Sequence, residues 1–553
     1  MIGKKAIGML LAAAMMVPNM TAFASEGGST LPDIDDVWGK YDDLVTLTAA
    51  CSLNSSIKFD DSNPDRRSMD ENIWQSAYEK YLNVHLNYIW TPAPEQYNQK
   101  WNAALATGDI PDIAVVDASI YGQLVEAGLV ADMTDIFDEY ASDTYKQYNE
   151  GDGYLTYNTM LQDGRLMGLP YLSSYRDQCN LMFIRNDWLE KVGKEVPKTV
   201  AELEDVMKAF RDANLGGEET LGLGASKNFY TGTNSLDAMF EAYGAYYDIW
   251  VEDGNGGLQY SNTTENMRES LLELQKLYKD GYIRQDFASL DGTAAAEDVA
   301  SGKLGIVFGK YWTTITTVGE SIKNDETADW ICVDVPTVDG SPYKTCAQDA
   351  DPTEFIFVNA NCEHPEAAVK VMNFWLEYGK YIDNGTRLLG TTEDGVEVFK
   401  YAFGQGSGDT TGNMATSRAI CEALDTGDLS VLTPDPEHDY TDTYNIVVEG
   451  MEGDREQYCY TMVFGKGSAY EKINQLTDEG RIITTAFMTI PTQTMMDKSE
   501  DLKTNLDAAM QKVIMGEDIS VYDDAVATWY STGGETMTQE ASEWFANSQK
   551  AAE

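Results

Sequence analysis

The sequence predicts an α/β protein in which parallel sheets are covered by helices, and three observations predict it. The chain has 553 residues, 43% of them hydrophobic and 24% charged, which is enough apolar material for two or more domain cores. Short runs of β-branched and small residues alternate with amphipathic helical patterns, which is typical of sheets covered on both faces. After the first 24 residues, no run approaches the about eighteen apolar residues that a membrane span requires.

The first third of the chain shows the alternation most clearly. Strands are predicted at 44–50, 84–89 and 113–116, and helices at 72–82, 95–106, 121–129 and 133–140. Strands and helices alternate through residue 116, and right-handed crossovers turn such an order into a parallel sheet. Asp163 and Gly164 then predict a two-residue hairpin turn.

The rest of the chain repeats the pattern less regularly. Strands are predicted at 181–185, 305–308 and 354–359, and helices at 187–192, 199–213, 235–243, 264–279, 365–378, 467–479, 503–515, 520–531 and 537–547. Thr199 is expected to cap its helix, because Glu202 three residues later completes a capping box. Residues 390–461 are rich in Gly, Asp, Thr and Tyr without a clear period, so irregular surface insertions are predicted there.

Charge and composition exclude several classes of function. With 39 Lys and Arg against 91 Asp and Glu, the formal net charge is -52 at pH 7, and so acidic a surface repels nucleic acid and anionic lipid. The seven cysteines show no zinc-type spacing, and the three histidines form no H-E-x-x-H motif. The sequence therefore predicts no nucleic-acid partner, and it indicates neither a disulfide framework nor a structural metal.

Residues 1–24 have the three parts of a secretory signal peptide. Two lysines precede an apolar run at 6–16, and Ala22-Phe23-Ala24 forms a small-residue cleavage site. The protein is therefore expected to be exported and to be extracellular or cell-surface associated, or periplasmic in a cell with an outer membrane. Residue 25 is Ser, so no lipid-anchoring cysteine stands at the predicted cut.

Several blocks of sequence carry a family resemblance. They are ATGDIPDI at 106–113, DGRLMGLPY at 163–171, SGKLGIVFG at 301–309 and CEHPEAA at 362–368, with a closing helical segment from 512 onwards. In this order and spacing, the blocks resemble the carbohydrate-binding family of extracellular solute-binding proteins of ABC importers, which includes maltose-binding protein. The closing segment is similar to that of the family's large, lipoprotein-type members.

The resemblance implies a two-lobed, periplasmic-binding-protein-like α/β fold of type II, with a parallel-sheet core in each lobe and strands that cross between the lobes. Residues 25–170 and 352–400 are expected in lobe 1, and residues 171–351 and 401–553 in lobe 2. The resemblance also implies that a sugar or oligosaccharide is captured in the interlobe cleft by hinge closure and delivered, unaltered, to the membrane subunits of an ABC importer. A monomer without catalytic residues is expected.

Aromatic residues near predicted strand ends are the first candidates for sugar binding, because a sugar presents a face of C–H groups to a ring. Trp312 follows the strand at 305–308 and matches a position where the family often places a stacking Trp. Tyr171 and Tyr175 flank the expected first crossing between lobes, and Trp250 is a weaker candidate. For each ring the alternative is packing, in the core or at the hinge.

Carboxylates and amides near strand ends are the candidates for the hydroxyl rim of the sugar. They are Asp117 and Asn54, which follow strands, and Asp349 and Asp351, which precede the expected second crossing. The alternatives are a helix cap or an Asx turn for the first two and a solvated acidic loop for the others.

A loop at 212–220 is similar to the calcium loop that larger members of the family carry after the capped helix. Asp212 and Asn214 match the ligand pattern, but Gly216 stands at the third ligand position and the loop is one residue short. Calcium prefers six to eight oxygen ligands. We therefore expect no bound ion and no other cofactor.

Two other functions stay open at this point. One is a non-transport glycan-binding surface or sensor protein, which the missing anchoring cysteine favours. The other is a secreted glycoside hydrolase, for which 91 acidic residues make a candidate pair of carboxylates uninformative. The negative charge favours a neutral or cationic solute over a uronic acid.

Overall fold

The computed structural model describes residues 31–53, 57–151, 153–290, 292–347, 354–382, 388, 396–434 and 438–552. The predicted signal peptide lies outside the described residues. The chain divides into two compact units: the first comprises residues up to 174, 352–410 and 488–491, and the second comprises residues 175–351, 411–487 and 492–553. The polypeptide therefore passes between the units several times.

Strands and helices alternate along both units. The strands are β1 (Val45–Ala50), β2 (Val84–Trp90), β3 (Ile113–Asp117), β4 (Leu161–Gln162), β5 (Arg165–Leu166), β6 (Leu169–Pro170), β7 (Leu181–Arg185), β8 (Trp250–Glu252), β9 (Leu258–Tyr260), β10 (Ile306–Gly309), β11 (Trp330–Val333), β12 (Thr345–Cys346), β13 (Glu354–Val358) and β14 (Ile482–Ile483). The helices of the first part of the chain are α1 (Ile73–Leu82), α2 (Tyr97–Thr107), α3 (Ala118–Glu126), α4 (Thr134–Tyr140), α5 (Asp143–Gly151), α6 (Leu155–Thr159), α7 (Asn186–Val192), α8 (Val200–Asp212), α9 (Asp237–Glu241), α10 (Glu265–Lys279), α11 (Gly292–Ala300) and α12 (Thr317–Asn324). Those of the second part are α13 (Pro365–Tyr381), α14 (Gly412–Thr426), α15 (Thr441–Met451), α16 (Tyr458–Phe464), α17 (Ala469–Asp478), α18 (Gln493–Ile514), α19 (Ser520–Trp529) and α20 (Glu535–Ala552). Within the described part of the chain, no helix has both the length and the apolar character that a bilayer crossing demands.

The first unit is built on a five-stranded sheet in the order β2-β1-β3-β13-β6. Strands β1, β2 and β3 are parallel, as predicted, whereas β13 runs antiparallel to both β3 and β6. Helices α1 and α13 contribute fully or almost fully buried aromatic rings to its core, with Trp74 5.3 Å from Trp375 between ring centroids. Burial of rings of this size is a major favourable contribution to folding.

Local signals set several element boundaries as predicted. The Thr199 side chain accepts a hydrogen bond from the backbone N–H of Glu202, and the Glu202 carboxylate accepts one from the Thr199 N–H, so the capping box is confirmed. Asp163 and Gly164 have φ angles of 51° and 77° between β4 and β5, which is the left-handed conformation that a two-residue hairpin turn needs.

The core sheet of the second unit is antiparallel, so the prediction of a parallel sheet in that lobe was wrong. Strand β7 is central and fully buried, and both β10 and β11 run antiparallel to it. Alternating strand and helix patterns fix neither strand direction nor sheet order when the connections are long. More than a hundred residues separate β7 from β10, and β10 enters the sheet at the end where β7 leaves it, since Ile306 pairs with Ile184.

The prediction of irregular insertions at 390–461 was also wrong over much of its length. Within it, residues 412–426, 441–451 and 458–461 form α14, α15 and the start of α16, whose buried side chains include Met414, Ile420 and Val447. The Thr461 hydroxyl donates to the Val447 carbonyl oxygen at 2.9 Å, joining α15 and α16. These helices have few apolar residues, so their helical periodicity was not recognisable in the sequence.

The boundaries between the units differ from those predicted. Residues 171–174 and 401–410 lie in the first unit rather than in the second. The Trp375 indole N–H donates to the Ser407 carbonyl oxygen at 2.6 Å, and the Ser174 hydroxyl donates to the Thr410 carbonyl oxygen at 2.9 Å. These long-range hydrogen bonds, which sequence periodicity does not reveal, connect 401–410 to α13 and 171–174 to 401–410.

Candidate functional site

Several strand ends where the sequence predicts binding residues lie at one edge of the first unit's sheet. The carboxyl ends of β1, β2 and β3 meet there, and the register of β13 places Glu354 opposite Asp117. Pro170 at the end of β6 pairs with Phe355, so Tyr171 follows at the same edge. Ligands of α/β proteins commonly gather at the carboxyl ends of parallel strands. The first unit therefore offers a polar edge that contains Asp117, Glu354 and Tyr171.

Asp117 caps a helix at this edge. Its Oδ1 accepts a hydrogen bond from the Ile120 backbone N–H at 2.8 Å, and its Oδ2 accepts one from the Asn98 side-chain amide at 2.7 Å. The predicted alternative role as a cap is thus confirmed. Each carboxylate oxygen can accept a second hydrogen bond, so the cap does not prevent Asp117 from binding a solute. Solute binding by Asp117 therefore stays a prediction.

Tyr171 is 9% exposed and belongs mainly to the packing of the first unit. Its hydroxyl donates to the Gln405 carbonyl oxygen at 2.6 Å. Burial, together with the nearby Glu354 carboxylate, raises the pKa of Tyr171 well above its ordinary value. The phenol therefore stays protonated and keeps this hydrogen bond at any physiological pH.

The second unit has a corresponding edge with partly exposed aromatic rings. Gly309 at the end of β10 pairs with Leu181 at the start of β7, so the segments 175–180 and 310–314 lie at the same edge. Trp312 stands on a short 3-10 helix directly after β10 and is partly exposed. Its indole lies against Gly232, where an added Cβ would come within 2.6 Å of the indole nitrogen. Glycine at 232 therefore makes room for the Trp312 ring.

Four further side chains accompany Trp312. The Tyr230 hydroxyl donates to Gln178 Oε1 at 3.1 Å, and the Arg176 guanidinium lies 4.4 Å above the centre of the Tyr175 ring. All four are partly exposed. We call Tyr175, Arg176, Gln178, Tyr230 and Trp312 the aromatic edge. It combines ring faces with hydrogen-bonding groups, which is the chemistry that a sugar requires.

A buried polar cluster lies directly beneath the aromatic edge. Lys310 Nζ donates to Asn180 Oδ1 at 2.9 Å, and the Asn180 amide donates to Asp237 at 2.7 Å and to Glu241 at 3.1 Å. The Tyr343 hydroxyl is also hydrogen-bonded to the Glu241 carboxyl group. Burial and the neighbouring Asp237 raise the pKa of Glu241 to about 8, so this carboxyl is mostly protonated at neutral pH.

Of the remaining predicted site residues, the structure describes Trp250, and this residue does not lie at either edge. Asn54, Asp349 and Asp351 lie outside the described residues. The Trp250 ring contacts Tyr260, Phe487 and Trp529, with ring centroids 5.6 to 6.4 Å away, and none of these belongs to the aromatic edge. This placement matches the core-packing alternative for Trp250.

Sequence analysis missed Arg176, Gln178 and Glu354. Most candidates were expected after strands, because parallel strands bring their carboxyl ends to the ligand. Arg176 and Gln178 precede β7, and Glu354 begins β13. Both strands run antiparallel to their neighbours, which places their amino ends at these edges. A sequence signal for strand direction would have been needed to find the three residues.

Side chains of the loop at 212–220 are paired within the protein. The Asp212 carboxylate is ion-paired with Lys208, and Glu219 is ion-paired with Lys303 at 2.6 Å. The Thr220 hydroxyl accepts from the Gly216 N–H at 2.9 Å. Among the residues that the structure describes, no three His, Cys, Asp or Glu side chains are grouped so that they could hold a metal ion.

Comparison with known families defines the class of protein. Residues 61–380 match the family described as bacterial extracellular solute-binding protein, which is more than half of the chain. The chain belongs to this family.

Curated relatives match over part of their length. The chain is 30% identical over 237 residues to lipoprotein LipO of Bacillus subtilis (strain 168), which is 42% of this chain and 45% of the relative. It is 29% identical over 240 residues to the polygalacturonan/rhamnogalacturonan-binding protein YtcQ of the same organism, again 42% and 45%. It is 24% identical over 265 residues to the fructooligosaccharide ABC transporter substrate-binding protein FusA of Streptococcus pneumoniae, 46% of this chain and 49% of the relative. The chain spans about half the length of these relatives.

Solved structures show the same fold over nearly the whole chain. The alginate-binding protein AlgQ2 without calcium ion superposes with a TM-score of 0.60 at 16% identity, covering 92% of this chain and 100% of that one. An extracellular solute-binding protein of Bifidobacterium longum subsp. infantis gives 0.59 at 16% identity, with the same coverage. The predicted fold class, the α/β fold of type II periplasmic solute-binding proteins, is confirmed.

Proposed function

We propose that this protein is the substrate-binding component of an ABC importer and that its solute is a sugar or an oligosaccharide. The aromatic edge, in a chain of the solute-binding family, is the observation that carries the proposal. Partly exposed rings stand there beside an amide and a guanidinium, all at the ends of buried strands. Relatives named as binding fructooligosaccharide or polygalacturonan support a carbohydrate as the solute.

Binding works through differential affinity in this proposal. A solute that binds one state of the protein more tightly than another shifts the population towards the state that it binds best. No bond is made or broken, and the solute is released unaltered to the membrane subunits. We further propose that the protein is exported to the cell surface and that it is a monomer.

A thermal-shift panel tests the solute class. We expect kestose, maltotriose or cellotriose to stabilise the protein, by about 2.7 kcal/mol at a hundredfold excess over Kd. Trigalacturonate is expected to stabilise it less, because two acidic residues, Asp117 and Glu354, are register partners at the polar edge. If no sugar of the panel raises the melting temperature, the carbohydrate assignment is contradicted.

We also propose that the protein works without calcium. Lysine ion pairs engage Asp212 and Glu219, two of the three acidic residues in the loop at 212–220, and so compete with a calcium ion for them. Neither 1 mM calcium nor excess EDTA (roughly millimolar reagents, enough to saturate or strip a micromolar site) should then change the melting temperature. A rise with calcium that EDTA reverses would contradict this.

A further inference from the structure

Lys310 contacts both the buried cluster and the aromatic edge. Its side chain is 1% exposed, and its ammonium lies 3.9 Å from the Asp237 carboxylate. The same ammonium lies 4.4 Å from the centre of the Tyr230 ring. A buried ammonium is retained only where anions or dipoles compensate for its lost hydration, and here Asp237 and Asn180 do so.

The Lys310 ammonium and the Gln178 side chain both contact Tyr230. The Lys310 ammonium lies over the ring itself, and the Gln178 side chain accepts from the hydroxyl at 3.1 Å. The Lys310 backbone N–H also donates to the Gly232 carbonyl oxygen at 3.0 Å, which anchors the loop that carries Tyr230. Trp312, two residues after Lys310, lies against the same Gly232. Tyr230 and Trp312 are therefore placed on the same short stretch of surface by contacts that involve Lys310.

We propose that Lys310 is a positioning residue of the solute site, which fixes the Tyr230 ring as a second surface for a sugar beside Trp312. The proposal rests on the proposed function for its ligand but on geometry alone for the position of the ring. A cation held against one side of the ring leaves its exposed part in a fixed orientation, so less conformational freedom is lost when the solute binds.

The test compares two lysines that each contact a tyrosine ring. Lys310→Met removes the buried cation at the aromatic edge. Lys503→Met is the matched control, because Lys503 Nζ lies 4.8 Å from the Tyr247 ring and 2.7 Å from the Asp507 carboxylate in the same unit. With kestose, maltotriose and cellotriose as probes in isothermal titration, we expect Lys310→Met to weaken binding about tenfold and Lys503→Met to leave it within about twofold.

A double-mutant cycle separates positioning from general stability. If Lys310 acts through Tyr230, Lys310→Met should cause no further loss of affinity in a Tyr230→Leu background. Additive losses would overturn the proposal. Since Lys310→Met leaves Asp237 buried without its cation, Lys310→Met/Asp237→Asn is the variant to use if the single variant does not fold.

A crystal structure of the solute-free variant gives a readout that needs no ligand. We expect the Tyr230 ring to leave its position and its hydroxyl to lose the hydrogen bond to Gln178. A ring that stays in place without the Lys310 ammonium would overturn the proposal. If the wild-type protein binds none of the three sugars, the proposed function fails, whereas the crystal structure still decides whether Lys310 positions the ring.

Discussion

Replacing Trp312 by Ala is expected to weaken solute binding about thirtyfold while leaving the fold intact. The indole is partly exposed at the aromatic edge, and its described ring contact is with Tyr311, 5.2 Å away between ring centroids. Removal of a ring that stacks on a sugar costs about 2 kcal/mol of binding free energy, which is the range of interface hot spots. Isothermal titration with the stabilising sugar of the thermal panel measures the change.

Trp544→Ala is the matched control for this prediction. Trp544 is also partly exposed, and its ring contacts Phe487 at the same centroid distance of 5.2 Å in an edge-on arrangement. It lies on α20, among the aromatic core of the last helices. We expect Trp544→Ala to lower the melting temperature without changing the dissociation constant. Equal losses of affinity in both variants would remove Trp312 from the site.

Through Glu241, the stability of the protein is expected to fall as the pH rises from about 4.5 to about 8, and Glu241→Gln should remove this part of the pH dependence, whereas Asp248, whose pKa burial raises to about 6, keeps its own contribution. Burial raises the pKa of Glu241 from its ordinary 4.5 to about 8, so the folded state keeps a proton that the unfolded state loses over this window. The free energy of unfolding therefore decreases with pH, by at most about 1.4 kcal/mol per pH unit for one proton. Urea denaturation at pH 5, 6, 7 and 8 measures the slope.

Glutamine resembles the protonated carboxyl, so the variant and the wild type should be equally stable near pH 4.5 and diverge above it. Glu219→Gln is the control, because its ion pair with Lys303 lowers the pKa of Glu219. The contribution of that pair is present above pH 4.5 and is lost only as the pH falls further, so it adds no slope between pH 5 and pH 8. A constant difference between wild type and Glu241→Gln would show that Glu241 is not protonated in the folded state.

Local sequence signals predicted the parts of the fold that local interactions determine. The capping box at Thr199, the hairpin turn at Asp163 and the parallel strands β1 to β3 all depend on neighbouring residues or short crossovers. The antiparallel sheet around β7 and the helices at 412–464 depend on pairings across long stretches of chain. Periodicity carries little information on those pairings.

Some residues of the candidate site could likewise be predicted from local sequence signals, and others could not. Trp312 and Asp117 follow strands, so the rule for parallel sheets found them. Arg176, Gln178 and Glu354 precede strands that are antiparallel to their neighbours, so that rule did not find them. Lys310 was not predicted because its partners Asn180, Asp237 and Tyr230 lie more than seventy residues away in the sequence. The sequence pattern determines neither the direction of the strands nor the long-range ion pairs.

The central claim is that this protein binds an oligosaccharide reversibly and returns it unchanged. Equilibrium dialysis of the purified protein against the stabilising sugar, with mass spectrometry of the sugar recovered from the protein chamber, tests it most directly. We predict saturable binding of one sugar per chain and a recovered mass equal to that of the sugar supplied. Shortened saccharides in the recovered fraction, or no retention above the buffer chamber, would contradict the account.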